Sequence, residues 1–265
     1  MQSRILKGAA LLAGLIASGH MTLAQPGAPQ RSAEPPQPAE KAAPIDLLGY
    51  WVAIVTEDWR WRMLTPPHGD YASVPLNAAG KQLADMFDPS KYGADWSTLI
   101  DCRAYGAAGL MRMPERLHVT WQTPETMKIQ TDWGAQTRLL YFRKSDLPQS
   151  GPSAQGSSIA AWQRPQIGNG GAAFARPGPP QPGGKLYVQT GNLTAGWLRR
   201  NGVPYGSHTH MQEWFQVFDD PTGKRWLDVT SRVDDPEYLN APFITSSDFR
   251  SEPDGSQWSP HPCKP

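Results

Sequence analysis

The chain has 265 residues, 39% of them hydrophobic, with 25 Lys and Arg against 24 Asp and Glu. That balance leaves no basic surplus for nucleic acid or an anionic membrane, and there is no acidic tail. The length suffices for a real core, in one large β domain or two small ones.

The first 24 residues carry Arg4 and Lys7, an apolar run from Ala9 to Ile16, and small residues up to Ala24. A basic start, a short apolar core and a small-residue end predict a secretory signal peptide, and so a periplasmic or secreted protein. The run is far below the ~20 residues of a spanning helix, so no membrane insertion is expected after its removal. Residues 25–44 are rich in Pro, Gln and Ala and bury too little apolar surface to offset their ordering entropy; they predict a disordered tether. A single domain is expected over residues 45–265. Cys102 and Cys263 are its two cysteines. An even count in an oxidising compartment favours a disulfide between them. Neither sits in a Cys-x-x-Cys, which argues against a redox or metal-binding thiol pair.

Leu48 to Thr56 is a continuous apolar, β-branched run and predicts a strand buried on both faces or facing a barrel interior. Asn77 to Phe87 predicts a helix capped by Asn77, with Leu83, Met86 and Phe87 on one face. A second short helix is expected over Tyr105 to Arg112. Strands then resume at Arg116–Gln122, Thr126–Asp132 and Gln136–Phe142, the last after a turn signal at Trp133-Gly134. Ser157–Gln163 is another strand. The Pro- and Gly-rich stretch 164–184 predicts a surface loop. Strands return at Lys185–Thr190, Thr209–Phe218 and Lys224–Val233, the last two joined by the turn Asp219-Asp220-Pro221-Thr222-Gly223. The fold expected is mainly β, an antiparallel up-and-down barrel or strongly curved sheet with one or two short helices.

Two resemblances bear on this. Gly49-Tyr50-Trp51, at the start of the first strand, resembles the Gly-x-Trp opening of lipocalins, where the Trp plugs the closed end of the barrel. Ser157 to Trp162, Lys185 to Thr190, Gly202 to Phe215 and Val233 to Pro236 resemble an uncharacterised family of exported, β-rich, lipocalin-like bacterial proteins over roughly residues 45–263. Members often show Pro-His-Ser-x-x-Leu-His-x-x-Glu-Arg-Phe. Pro204, His210, Glu213 and Phe215 match that pattern, whereas Tyr205 and Trp214 replace its first His and its Arg. The resemblance implies a barrel-like fold and no particular activity.

Several residues are candidates for chemistry. In a strand, Thr209, Met211, Glu213, Phe215 and Val217 share one face, and His210, Gln212, Trp214 and Gln216 the other. A carboxylate among apolar neighbours is a candidate general acid or base, with His210 as its neighbour; the structural alternative is a Glu paired with an interior Arg. His208 and His210 are the only close histidine pair, with no Cys and no second His-x-His nearby, so no metal site is expected. His68, His118 and His261 read as structural. Glu57 to Met63 is the densest constellation. If extended, Trp59 and Trp61 lie on one face and Asp58, Arg60 and Arg62 on the other. Trp planes beside Arg groups suit an aromatic or sugar ligand or the capture of an anion; the alternative is a stacked Arg–Trp surface ribbon. Tyr71, Tyr105 and Tyr205 add hydroxyls. Eleven tryptophans favour a pocket for flat rings. No phosphate-cradling Gly-rich loop and no Gly-x-Ser-x-Gly elbow is present, so no cofactor is expected.

Three readings stay open at this point. The first is a periplasmic, cofactor-independent lyase, dehydratase or isomerase acting on a small apolar or aromatic compound. Glu213 and His210 would do the acid/base work, with Arg60, Arg62 and Tyr205 polarising an oxygen. The second is a non-enzymatic lipocalin-like binding protein for a small hydrophobic ligand, with Asp58, Trp59, Trp61, Tyr105 and Trp214 forming the site. The third is an envelope or structural protein with a solid interior.

Overall fold

The computed structural model describes residues 37–88, 102–165 and 183–263. The signal-like segment, the first part of the tether and most of the 164–184 stretch lie outside the described residues. The folded unit runs from Gln37, so it starts before Ile45 and takes in the end of the expected tether. The reason is local bonding. The Trp162 indole donates to the Ala39 carbonyl (2.8 Å), Glu40 N donates to the Pro124 carbonyl (3.0 Å), and Ala39 is buried. These contacts dock the one-turn helix α1 (Ala39–Ala42) on the barrel.

Nine strands close a barrel. In chain order they are β1 (Gly49–Ile54), β2 (Arg116–Thr123), β3 (Thr126–Thr131), β5 (Thr137–Tyr141), β6 (Ser157–Gln163), β7 (Lys185–Gly191), β10 (His210–Asp219), β11 (Arg225–Asp234) and β12 (Phe243–Glu252). Their order around the barrel is β1-β12-β11-β10-β7-β6-β5-β3-β2, with β2 closing on β1. Neighbours are antiparallel except β5 and β6, which pair in parallel through Leu140–Ser158 and Tyr141–Ile159. The β5–β6 connection carries the chain back to the rim where β5 began. The short pairs β4 (Trp133–Gly134) with β13 (His261–Pro262), and β8 (Gly196–Arg199) with β9 (Val203–Tyr205), lie outside the barrel. A Cys102–Cys263 disulfide ties the tail to the 3₁₀ turn Cys102–Tyr105, across 161 positions of sequence.

Alternation decides what lies inside. Trp51, Leu117, Val119, Met127, Ile129, Leu140, Leu186, Val188, Phe215, Leu227, Val229 and Phe249 come from alternate positions of their strands and form one buried cluster. The barrel centre is therefore filled with side chains, as expected where strand number leaves an interior just wide enough for them. The register puts the β2–β3 and β10–β11 hairpins at one rim, hereafter the first. Ile54, Arg116, His210, Asp234 and Phe243 stand at the second rim. A second cluster, including Val74, Leu198, Val203, Tyr205, Met211 and Leu239, caps that second rim.

Two local expectations change. The helix α3 (Ala78–Asp85) is capped by Asn77, whose side chain accepts from Gly80 N at 2.8 Å. Its buried face, however, is Gly80 and Ala84, continued by Phe87, and Met86 is 73% exposed. A β-carbon on Gly80 would stand 2.5 Å from the Tyr238 carbonyl, so only a glycine at this position lets the helix approach that chain. The Trp-Arg-Trp-Arg segment is not extended. It forms a helical turn, α2 (Trp59–Arg62), because Asp58 adopts a left-handed conformation and its carbonyl accepts from Trp61 N and Arg62 N. Trp59 consequently points to solvent, 61% exposed, and does not share a face with Trp61. The strand β12 has no counterpart among the expected elements.

Candidate functional site

Glu213 projects into the barrel as the alternation requires and is 0% exposed. Both its oxygens accept from Arg138 of β5, Nη1 to Oε1 at 3.0 Å and Nη2 to Oε2 at 2.6 Å. Arg138 Nη2 also donates to Thr190 Oγ1 at 3.3 Å, and Thr190 shares a 2.8 Å bond with Ser158. The pair is thus a fork-to-carboxylate bridge embedded in a polar patch of the core. His210 lies on the outer face of β10 and is exposed. It stands on the opposite side of the sheet from Glu213. Arg138 was not singled out in the sequence. Its only signal is the alternation with Leu140, which places it inward.

The other candidates separate into groups. Trp214 is on the outer face and packs against Tyr187, ring centroids 5.4 Å apart. Tyr205 is buried with its hydroxyl beside Gly106 and Gly196, where a β-carbon would collide with it; burial pushes its phenol upward. Tyr105 is buried too, and desolvation pushes its hydroxyl up to about 12. Arg60 is exposed and donates to Asp70 at 2.5 Å. Asp58, Trp61 and Arg62 do come together at the second rim. Asp58 accepts from Arg112 at 2.9 Å, Arg62 is buried against Glu57, and the Trp61 indole donates to Asp70 at 3.0 Å. Arg199 of β8 reaches the same place, its guanidinium 4.9 Å from the Trp61 ring centre.

Near that region lies an acidic pair that sequence reasoning missed. Glu115, fully buried, has neither carboxylate oxygen hydrogen-bonded. Burial first, and then the neighbouring Asp132, push its carboxyl well above the ordinary range. Asp132 is also pushed up by burial, although Arg116 N and Trp133 N donate to it at 2.8 Å each.

At the first rim the chain forms a strap. Residues 39–48 cross the barrel mouth, pinned at one end by the Trp162–Ala39 and Glu40–Pro124 bonds. The other end is pinned by the Trp51 indole donating to the Leu47 carbonyl (2.9 Å) and by Arg225 donating to the Asp46 carbonyl (2.6 Å). Between strap and barrel lies a cleft of about 440 Å³. Trp121, Met127 and Trp162, all at inward strand positions, form its barrel wall; Ile45, Leu47 and Leu48 form the strap side, and Glu40 and Asp46 stand at its edge. Phe142 packs between the two indoles, 5.5 Å from Trp121 and 5.3 Å from Trp162.

Among the described residues no helix is long and apolar enough to cross a membrane. No protein-family model matches this sequence, and no curated protein matches it.

Proposed function

We propose that this is an exported, non-catalytic binding protein that holds a small flat apolar or aromatic molecule between the strap and the first rim of the barrel. The observation that carries the reading is the cleft itself. Its volume of about 440 Å³ falls in the range of small-molecule sites, and two indoles on one wall offer flat apolar area at low entropic cost. Glu40 and Asp46 at the edge disfavour an anionic ligand there and suit hydroxyl or amine groups. Binding is favoured over proton-transfer catalysis because Glu213 is locked to Arg138 away from the cleft and His210 faces outward. The signal-like first segment and the paired cysteines support export.

The test is fluorescence titration with a neutral aromatic probe, N-phenylnaphthylamine, against the disulfide-bonded protein. The wild type is expected to give a saturable rise in probe emission. Trp121→Ala should weaken binding at least tenfold, while Glu213→Leu paired with Arg138→Met leaves it unchanged. No saturable binding by the wild type, or binding indifferent to Trp121→Ala, would refute the proposal. Chemical conversion of a candidate ligand that is lost in Glu213→Gln would restore the enzymatic reading.

A further inference from the structure

The second rim holds a group of guanidinium side chains that the cleft does not use. Arg62, Arg112, Arg199 and Arg200 line a small cavity with the indole of Trp61. Arg62 bonds Glu57 and donates from Nε to the Arg112 carbonyl at 3.0 Å, but its buried Nη2 has no hydrogen-bond partner. Arg112 donates from Nη2 to Asp58 at 2.9 Å, and its buried Nη1 has none. Arg199 is only 3% exposed, and all three of its guanidinium nitrogens are buried without a hydrogen-bond partner.

The charges can be followed one by one. Glu57, Asp58 and Asp70 are taken up by Arg62, Arg112 and Arg60. Among the described residues no carboxylate is left within hydrogen-bonding distance of Arg199, whose near neighbour is the Trp61 face. Keeping a cation out of water with no counter-charge is expensive, and natural folds pair such groups or give them an anion. A bound anion would offset the Arg199 cation. The free space is about 10 Å³, room for roughly one water-sized group. A bound molecule would therefore place only its charged head there. A guanidinium fork presents paired donors that match the two oxygens of a carboxylate better than a spherical ion.

We propose that this cavity is a binding site for a small organic carboxylate, held by Arg199 with help from Arg62 Nη2 and Arg112 Nη1. The site is separate from the aromatic cleft, at the other end of the barrel, and does not depend on that reading.

The experiment uses the disulfide-bonded chain in a zwitterionic buffer of low ionic strength, with sodium acetate as probe and sodium chloride as control. Calorimetric titration and thermal unfolding are read together. Acetate is expected to half-saturate at least tenfold below chloride and to raise the melting temperature. Arg199→Met should lose at least tenfold in acetate affinity. Its melting temperature without acetate should equal or exceed that of the wild type, since the substitution removes a buried, unbalanced charge. Arg199→Lys, which keeps the charge without the fork, should fold and show the same loss of acetate binding. Arg232→Gln, an exposed change at the same rim, should bind acetate as the wild type does. Equal response to acetate and chloride, no response in the wild type, or an undiminished response in both Arg199 variants would each overturn the assignment.

Discussion

Replacing Glu213 with Gln changes few atoms but removes the charge that balances Arg138 inside the barrel. The two side chains are 0% and 1% exposed, with the carboxylate engaged at both oxygens. A Gln there keeps one acceptor and turns an amide NH₂ toward a guanidinium that can only donate. The cation is then left uncompensated in a sealed core, a change that typically costs about 3–5 kcal/mol. For a domain of this size each kcal/mol moves the melting temperature by about 2–4 °C, so a fall of about 6–20 °C is expected. The double variant Arg138→Met, Glu213→Leu removes both charges, fills similar volume, and should recover most of the loss or exceed the wild type. Urea unfolding followed by tryptophan emission, run as a double-mutant cycle, measures both effects. A Glu213→Gln variant within about 0.5 kcal/mol of wild type, or a double variant no more stable than the single, would refute the reasoning. An acid or base open to a ligand behaves in the opposite sense, because neutralising it usually relieves strain on the fold.

Two further outcomes follow. Burial first, and then Asp132, push the Glu115 carboxyl well above its ordinary 4.5 in the fold. Below that value both folded and unfolded chains carry the proton and the group contributes nothing; above it the unfolded chain releases the proton and the folded one does not, so rising pH destabilises the fold. Glu115→Gln should therefore match the wild type near pH 4 and exceed it near pH 8 in urea midpoint, and a gap that does not grow with pH would count against this account. Reducing Cys102–Cys263 releases a loop spanning 161 positions, worth about 4–5 kcal/mol in the chain-entropy picture. Hydrogen exchange should then rise first at β4 and β13, with the barrel strands protected; uniform exposure of the barrel would show that the bridge supports more than the tail.

The barrel is legible in the sequence wherever its inner positions are apolar. Leu117 and Val119, Met127 and Ile129, and Leu186 and Val188 repeat at period two, and each marks its strand within a residue or so. The strand β12 escapes because Thr245 and Ser247 occupy positions between the apolar Phe243 and Phe249, which breaks the alternation. Arg138 escapes because an arginine in a strand reads as a surface residue, although the register that puts Leu140 inside puts it there too. The α2 turn hinges on the left-handed backbone of Asp58, a conformation that neighbouring residue types do not announce. The strap was hidden by composition: the proline-rich stretch leading into it reads as tether, and only long-range bonds from Trp162, Pro124 and Arg225 reveal it as the roof of a cleft.

The same logic explains why neither candidate site lies where a lipocalin-like reading would look first. An interior ion pair and a dozen apolar side chains fill the barrel, so whatever binds must do so where the strands end. At the first rim, Trp121, Met127 and Trp162 keep the inward phase of their strands beyond the filled core, and the alternation that packs the centre there presents aromatic surface under a strap. At the second rim, the arginines come from three stretches distant in sequence: α2, the turn after Leu110, and β8. Period-two or helical spacing cannot report such a gathering. Only the fold can, through the cap that buries Arg199 beside Trp61. A chain close to neutral overall therefore separates opposite local demands, two carboxylates at the edge of a cleft walled by indoles at one end and an unbalanced guanidinium at the other. Composition alone could exclude a large charged interface, but it could not exclude a single buried charge that lacks a partner.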